Sequence, residues 1–294
     1  MHAVRESGEA VDLQVDGTLV ATYVWSRELP PGVAPRPYLH PVRTLAGVEL
    51  TGLMPSAFRH HLGAGVAIAD VSGHNFWGGR TFLPGRGPTW LDNHGAQLHE
   101  SWLRREPERV AERLTWLTRD GAALLSEERT VTARPLRPGG WVLEVAFALR
   151  NVTDTPVTIA SPACAGRAGA GYGGFFWRLP ADARGVRIAG PGPGGELLSG
   201  PALNGVASAW LGVAGTDPGG RAWTLVFVPG DETTAADPWF VRARDYAGVG
   251  SALAWARPLV LAPGAGLARR VCTVLADGHR DAAGMSSLAT AVRA

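Results

Sequence analysis

The feature that most constrains the fold is an alternation of apolar and polar residues in short runs, which glycine and proline interrupt. Glycine (39) and proline (22) make up about a fifth of the 294 residues, against an ordinary share near 12%. They are spread along the chain and do not form a linker. Near the N-terminus, alternating residues 11–15 lead into Asp16-Gly17, and an apolar run over 19–25 returns. This pattern predicts a β-hairpin with a tight turn.

The same alternation predicts a meander of antiparallel strands over 97–161. The predicted strands, separated by breaks that contain proline or glycine, cover 97–106, 108–118, 123–136, 141–151 and 156–161. In the fourth, every second residue from Trp141 to Leu149 is large and apolar, which places one face of that strand in a core. The segment 108–118 is also compatible with a helix. Later strands are predicted at 208–215, 222–229, 258–262 and 267–276.

So many strands, without interleaved helices or a fixed-period repeat, predict an all-β fold. The best match is a large two-sheet antiparallel β-sandwich. We interpret 1–294 as a single β-sandwich domain with a short C-terminal helix or tail at about 281–294, for which Asp281 is a candidate N-cap. The glycine-rich stretch 165–178 predicts a loop beside the concave face of such a sheet, where ligand sites often lie.

Composition narrows the function classes. The net charge is +2 and no basic block is present, so no nucleic-acid partner is expected. All 28 basic residues are arginine, which excludes catalysis through a lysine Schiff base. The absence of an apolar run of 18 residues and of a secretory signal pattern predicts a soluble, cytoplasmic protein without membrane contact.

Histidines concentrate in one stretch of the chain. Six of eight fall between residues 40 and 99: His40, His60, His61, His74, His94 and His99. Histidine transfers protons near neutral pH and is the commonest metal ligand. No HExxH pattern is present, so no cofactor is assigned. A divalent ion stays open, provided that three or four side chains converge from His40, His60, His61, Asp70, His94 and His99.

Neighbouring His60 and His61 point to opposite faces if they lie in an extended strand. They can share a cleft only where the backbone turns, and the nearby glycines allow a turn. The alternative is one functional histidine beside a structural one.

Aromatic and arginine residues in polar segments indicate a sugar-binding surface. Trp77, Trp90 and Trp177 lie among glycines and polar residues, where an exposed ring could stack on a sugar. Arg43, Arg80 and Arg178 are candidates for binding a carboxylate or keto oxygen. The other candidate substrate-binding residues are Asp70, Asn75, His94 and Tyr172. The competing interpretation is that these tryptophans are core residues and the arginines are solvated surface.

Three segments resemble a known family. They are PYLHPVRTLAGVELT (37–51), FRHHLGAGVAIADVSGHNFWGG (58–79) and YGGFFWR (172–178). Together they are similar to the soluble proteins labelled "methane oxygenase PmoA", over roughly residues 35–280. The chain departs from that pattern at residues 56–59, where relatives have Asp-His-Pro, and at Leu62, where they have arginine. The resemblance implies a galactose-mutarotase-like supersandwich and, by analogy, a carbohydrate substrate.

We therefore expect a carbohydrate-active enzyme that cleaves or isomerises a small sugar or glycoside. A specific version is elimination from a 3-keto-glycoside, because the ketone acidifies the C2 hydrogen and a base can then expel the C1 substituent. His61 is the expected base or acid, His40 its partner and His60 a further candidate, with Arg43 or a metal on the keto oxygen. The alternatives are an aldose epimerase, a non-catalytic sugar-binding module and a tailoring enzyme of a biosynthetic cluster.

Overall fold

The computed structural model describes residues 6, 7, 9–25 and 28–293. This part of the chain forms twenty-two strands. In chain order they are β1 (Glu6–Ser7), β2 (Ala10–Val15), β3 (Thr18–Val24), β4 (Tyr38–Val42), β5 (Ala64–Ala67), β6 (Asp70–Val71), β7 (Thr81–Leu83), β8 (Gly87–Thr89), β9 (Ala96–Glu106), β10 (Arg109–Leu117), β11 (Ala123–Leu136), β12 (Gly140–Asn151), β13 (Val157–Ala160), β14 (Gly174–Arg178), β15 (Arg184–Pro191), β16 (Leu197–Ser199), β17 (Leu211–Thr216), β18 (Ala222–Pro229), β19 (Trp239–Arg242), β20 (Gly248–Ala252), β21 (Leu259–Leu261) and β22 (Gly266–Asp277). The helices of this part are α1 (Glu232–Ala235) and α2 (Ala282–Arg293), with short 3-10 turns at Pro31–Val33 and Gly200–Leu203. None of these helices has the length and apolarity to cross a membrane.

Two large sheets form the sandwich. The eight-stranded sheet has the order β1-β2-β3-β4-β5-β14-β20-β19, and the nine-stranded sheet has the order β16-β15-β17-β18-β22-β12-β11-β10-β9. Neighbouring strands in both run antiparallel. The predicted all-β, two-sheet antiparallel sandwich is therefore confirmed. The helical alternative for 108–118 is wrong, because β10 pairs with β9 on one side and with β11 on the other.

The core lies between the two sheets. One face of β12 supplies Trp141, Leu143, Val145, Phe147 and Leu149, each at most 2% exposed. Rings from the two sheets meet in this layer, with Trp177 of β14 and Phe227 of β18 at 5.6 Å between centroids. Burying each large apolar side chain contributes about 1.5–3 kcal/mol relative to exposing it. The residues on the outer faces of the two sheets form separate, smaller clusters.

Helix α2 covers the outer face of the nine-stranded sheet. Asp281 caps its N-terminus, since the Asp281 Oδ1 accepts a hydrogen bond of 2.8 Å from the Gly284 N–H. Met285 and Ala289 are buried against Val226 and Val274 of that sheet. The apolar stripe of the helix thus explains why it docks at this place.

The glycine-rich stretch 165–178 is only partly a loop. Its last five residues form β14, a central strand between β5 and β20. A Cβ on Gly174 would lie 2.5 Å from the Ser251 carbonyl oxygen. Glycine at this position therefore permits β14 to approach β20 closely and does not mark a turn. Trp177 is fully buried in the core, so its proposed role as an exposed sugar-stacking ring is wrong.

Candidate functional site

A cavity of about 780 Å³ lies on the outer face of the eight-stranded sheet. In β14, Phe175 and Trp177 face the core, so alternation turns Phe176 and Arg178 to the opposite face, beneath this cavity. Its walls come from the loops that follow β3, β4, β6 and β8, from the loop before β14 and from the β19–β20 hairpin. The rigid sheet therefore holds a set of loops around one opening.

Two consecutive turns bring His60 and His61 to the same cavity. The Phe58 N–H donates to the Pro55 carbonyl oxygen at 2.8 Å, and the His61 N–H donates to the Phe58 carbonyl oxygen at 2.9 Å. The two imidazole centroids are 4.6 Å apart, and both rings line the cavity. The backbone turn thus meets the condition that the sequence set for a shared cleft.

His61 is enclosed by aromatic rings. The side chain of Phe58 stacks on it at 5.1 Å, and Tyr246 and Phe176 contact it at 4.8 and 5.3 Å between centroids. Its Nδ1 is buried without a hydrogen-bond partner. Burial, together with the nearby His60, Arg178 and Arg36, lowers the pKa of His61 to about 2. The imidazole is therefore neutral at physiological pH and donates no proton as an imidazolium.

His60 is less enclosed and lies against a pair of glycines. Burial lowers its pKa to about 4, with a contribution from the positive charge of Arg36. Gly79 has φ +70, and a Cβ there would lie 2.7 Å from the His60 Nδ1. A Cβ on Gly78 would lie equally close to the His60 Cβ. Any side chain at these positions would collide with His60 or displace it.

Aromatic side chains form much of the wall. Trp77 is nearly buried and packs against Tyr172 at 4.6 Å between ring centroids. Trp90 is 63% exposed, rests on Gly32 and lies 5.5 Å from the His94 ring. Burial raises the pKa of Tyr172, and it raises that of Tyr246 to about 12. Both phenols therefore keep their protons and can donate hydrogen bonds into the cavity.

The charged residues of the wall are mostly positive. They are Arg59, Arg80, Arg167, Arg242 and Asp245. Within the described residues, none of these arginines forms an ion pair with a carboxylate. Two of them are braced by aromatic faces, with the Arg167 guanidinium 5.9 Å from the Phe82 ring and that of Arg242 5.5 Å from Phe240.

Three of the predicted site residues support the wall from behind it. Asn75 is buried, and its Oδ1 accepts hydrogen bonds from the N–H groups of Trp77 and Gly78. The His94 Nε2 bonds to the Gly79 carbonyl oxygen at 2.7 Å. The Arg178 Nη1 donates to the Ala247 carbonyl oxygen, and its guanidinium lies 4.8 Å from the Tyr246 ring. None of the three lines the cavity, so they position the residues that do.

The remaining predicted residues on this side of the molecule are distributed unevenly. Trp77, Arg80 and Tyr172 line the cavity. Asp70 lies in an adjoining pocket of about 30 Å³, and its Oδ1 accepts a 2.7 Å hydrogen bond from the Gly73 N–H.

His40 and Arg43 lie elsewhere, so the expected cleft shared by His40 and His61 does not form. The segment after β4 folds back, with Leu50 N–H donating to the Val42 carbonyl oxygen. The His40 Nδ1 is therefore 3.0 Å from the Thr51 Oγ1, and its Nε2 is 3.8 Å from Glu49. Arg43 pairs with Glu49 at 3.5 Å beside a separate pocket of about 280 Å³. Burial lowers the pKa of His40.

The convergence of side chains that the open possibility of a divalent ion required is not found. Among residues 9–25 and 28–293, no three histidine, cysteine or acidic side chains are placed to hold one ion. His99 is half-buried on the edge strand β9, where its Nδ1 is 2.5 Å from the Glu112 Oε2. His94 bonds to a backbone carbonyl, and His60 and His61 are left as a pair.

Sequence reasoning missed several residues of the cavity wall: Phe58, Arg59, Arg167, Arg242, Asp245 and Tyr246. A signal for part of this set was present. The run Arg-Ala-Arg-Asp-Tyr (242–246) separates two apolar segments, as a polar hairpin loop at a sheet end does.

Comparisons with known proteins place the chain in a family. The model of a family of unknown function, DUF6807, matches residues 10–290. The chain belongs to this family. The description of this family states no activity, and it does not support the methane-oxygenase label. No curated protein matches the chain.

Several solved structures are similar to this chain. An aldose epimerase (GalM) homologue from C. elegans is 12% identical, covers 92% of this chain and 99% of its own, and has a TM-score of 0.42. The Slr1438 protein from Synechocystis is 13% identical, with 95% and 99% coverage and a TM-score of 0.42. A polysaccharide lyase is 11% identical, with 97% of this chain and 35% of its own covered, and a TM-score of 0.34. At these identities and scores, neither activity nor site residues transfer to this chain.

Proposed function

We propose that this protein is a carbohydrate-active enzyme that binds a small sugar or glycoside in the cavity and moves a proton with the histidine pair. The observation that carries the proposal is the presence of His60 and His61 in one aromatic-walled cavity. Its volume lies in the range of about 300–1,000 Å³ that is typical of small-molecule sites. Trp90 offers an exposed ring face, while Trp77 is too buried to stack on a sugar as the sequence predicted, and the arginines and tyrosines offer hydrogen-bond donors.

His60 is the better proton acceptor of the two. Its pKa is lowered less than that of His61, and one side of its ring lies against glycines without side chains. In an elimination from a 3-keto-glycoside, His60 removes the C2 hydrogen, and the electron pair forms an enolate that an arginine of the wall stabilises. The enolate then forms the C1–C2 double bond as the C1 substituent leaves. Tyr246, which keeps its proton, can donate to the leaving oxygen.

The test is turnover of a 4-nitrophenyl 3-keto-glucoside by the full chain. His60→Gln is expected to reduce turnover by on the order of a hundredfold, the ordinary contribution of a general base. His279→Gln removes an exposed histidine outside the cavity and serves as the matched control. Equal rates on the keto-glucoside and on unoxidised 4-nitrophenyl glucoside would contradict the elimination chemistry.

A sugar-binding module without catalysis is the second candidate. The observation in its favour is the low pKa of both histidines, because a weakly basic imidazole is a poor proton acceptor. In that case the wild-type protein binds sugar without turnover, and His60→Gln leaves affinity nearly unchanged. Aldose epimerisation needs proton transfer without a leaving group, and a polarimetric assay of sugar interconversion separates it from elimination.

A further inference from the structure

We infer that the ligand of the cavity is an anionic sugar, one that carries a carboxylate or a phosphate group. This inference rests on the proposed function, since it names the class of sugar that the same cavity takes. It starts from the wall, where four arginines and a single carboxylate, Asp245, line the opening. None of these arginines has an acidic partner within the described residues.

The region beneath the wall adds positive charge that the protein does not neutralise. Arg36 is buried, and its hydrogen bonds go to the backbone carbonyl oxygens of Val33, Ala34 and His60. Arg178 is also buried, and its Nε has no hydrogen-bond partner. Neither forms an ion pair in the part of the chain that the structure describes. Buried charges are ordinarily paired, so this arrangement favours a negative charge that arrives with a ligand.

The hydrogen-bonding character of the wall points the same way. A guanidinium has five N–H donors and no acceptor, whereas every hydroxyl of a neutral sugar is both a donor and an acceptor. A wall with four arginines and one carboxylate therefore offers a ligand more charged donors than charged acceptors. A carboxylate or phosphate has only acceptor oxygens, and the arginine fork matches its geometry in bidentate contacts.

Two of the arginines are held in place before any ligand arrives. Arg167 lies over the Phe82 ring, and its Nη1 is 3.5 Å from the Tyr172 hydroxyl. Arg242 lies over the Phe240 ring. Contact with an aromatic face limits the motion of a guanidinium and does not neutralise its charge. We therefore assign these two arginines the main contacts with the anionic group.

The experiment compares the binding of D-glucuronate, D-glucose 6-phosphate and D-glucose to the full chain by calorimetry at fixed ionic strength. The expected result is that one of the two anions binds at least tenfold more tightly than glucose. The anion that binds shows whether the group is a carboxylate or a phosphate. Arg167→Gln and Arg242→Gln are each expected to weaken that anion on the order of tenfold and to leave glucose nearly unchanged.

Arg187→Gln is the matched control, because it removes one positive charge from an exposed strand position outside the cavity. Arg242→Lys keeps the charge and is expected to retain part of the affinity. Thermal melting of each variant separates lost folding from lost binding.

Three results would overturn the inference: glucose binding as tightly as both anions, an effect of Arg242→Gln no larger than that of Arg187→Gln, or inorganic phosphate binding as tightly as glucose 6-phosphate. The turnover test of His60→Gln is separate. It can fail while anionic sugars still bind, and it can succeed on a neutral glycoside while the preference for anions is absent.

Discussion

Arg129 in the sandwich core and Arg36 beneath the cavity are both buried arginines, but only Arg129 has a counter-charge. Its Nε and Nη2 donate to the two Glu127 carboxylate oxygens at 2.7 and 2.8 Å, and Nη2 also donates to the Gln97 Oε1. Burial alone would lower the pKa of Arg129, but Glu127, Tyr23 and Glu112 together raise it. Arg36 has carbonyl partners only, and burial lowers its pKa to about 9.

The difference separates a structural charge network from the cavity that we propose as a binding site. The core network is complete within the protein, since the Trp116 Nε1 also donates to Glu127, and both Tyr23 and His99 bond to Glu112. In the region around the cavity, Arg36 and Arg178 have no such complement. Buried charges are ordinarily paired, so the two regions differ in whether the protein itself supplies the partner.

The largest effect is expected from breaking the complete network. Arg129→Met leaves the Glu127 carboxylate buried without its cation, which costs about 3–5 kcal/mol of unfolding free energy. Chemical denaturation monitored by circular dichroism measures this loss. A cost below that of Arg36→Met would show that the two arginines do not differ in the way described.

Arg36→Met is expected to cost less, about 2 kcal/mol. It removes donors from three carbonyl oxygens, but it also removes a charge that the protein does not neutralise. The same denaturation experiment gives the value. The variant also tests the coupling to His60, whose pKa should rise once the positive charge of Arg36 is gone, as an NMR titration of the imidazole protons would show.

Acid should destabilise the cavity through its histidines. In the unfolded chain a histidine has a pKa near 6.5, whereas the pKa values of folded His60 and His61 are about 4 and about 2. Below pH 6.5 the unfolded chain therefore binds protons that the folded chain does not. Each histidine lowers the unfolding free energy by up to about 1.4 kcal/mol per pH unit as pH falls from 6.5 toward its folded pKa.

His61→Phe is expected to reduce this slope by the contribution of one proton between pH 6 and pH 4. Denaturation curves at several pH values give the slope, and His279→Gln is the control with an exposed histidine. An unchanged slope in His61→Phe would mean that His61 is not held neutral by its aromatic surroundings.

The smallest change in unfolding free energy is expected from Trp90, the most exposed tryptophan, in comparison with the fully buried Trp116. Trp90→Ala is expected to change the unfolding free energy by about 0.5 kcal/mol or less, because the ring is mostly exposed. Trp116→Ala, in the core network, is expected to cost about 3–5 kcal/mol. Similar losses in the two variants would mean that Trp90 stabilises the fold as a core residue does, and does not lie exposed at the rim of the cavity.

Sequence pattern predicts the sheets well because one face of each strand must be buried. The alternation in β12 identified its core residues, and the tail was assigned a helix with the N-cap that the structure shows. The sequence pattern failed at β14, because the glycines of 165–178 were interpreted as a loop. Gly174 lets β14 approach β20 closely, and that requirement is set by a neighbour distant in sequence.

The site was less predictable because loops assemble it. The sequence identified the histidine-rich stretch, and His60, His61, Trp77, Arg80 and Tyr172 do line the cavity. It could not show that Glu49 and Thr51 fold back onto His40. It also could not show that the hairpin carrying Arg242 reaches a loop about 180 residues earlier in the chain. Such contacts depend on sheet order, which the local pattern does not encode.

The exposure of Trp90 gives the molecule an internal optical reporter. All eleven tryptophans fall within the described residues, and Trp90 alone among them is exposed. Its fluorescence should therefore lie at the red edge of the emission spectrum and be the component that iodide quenches. A ligand that covers this ring would shield it from the quencher, while the tryptophans buried in the sandwich core are out of reach of iodide with or without ligand. Occupancy of the cavity can thus be followed with unlabelled protein and unlabelled ligand.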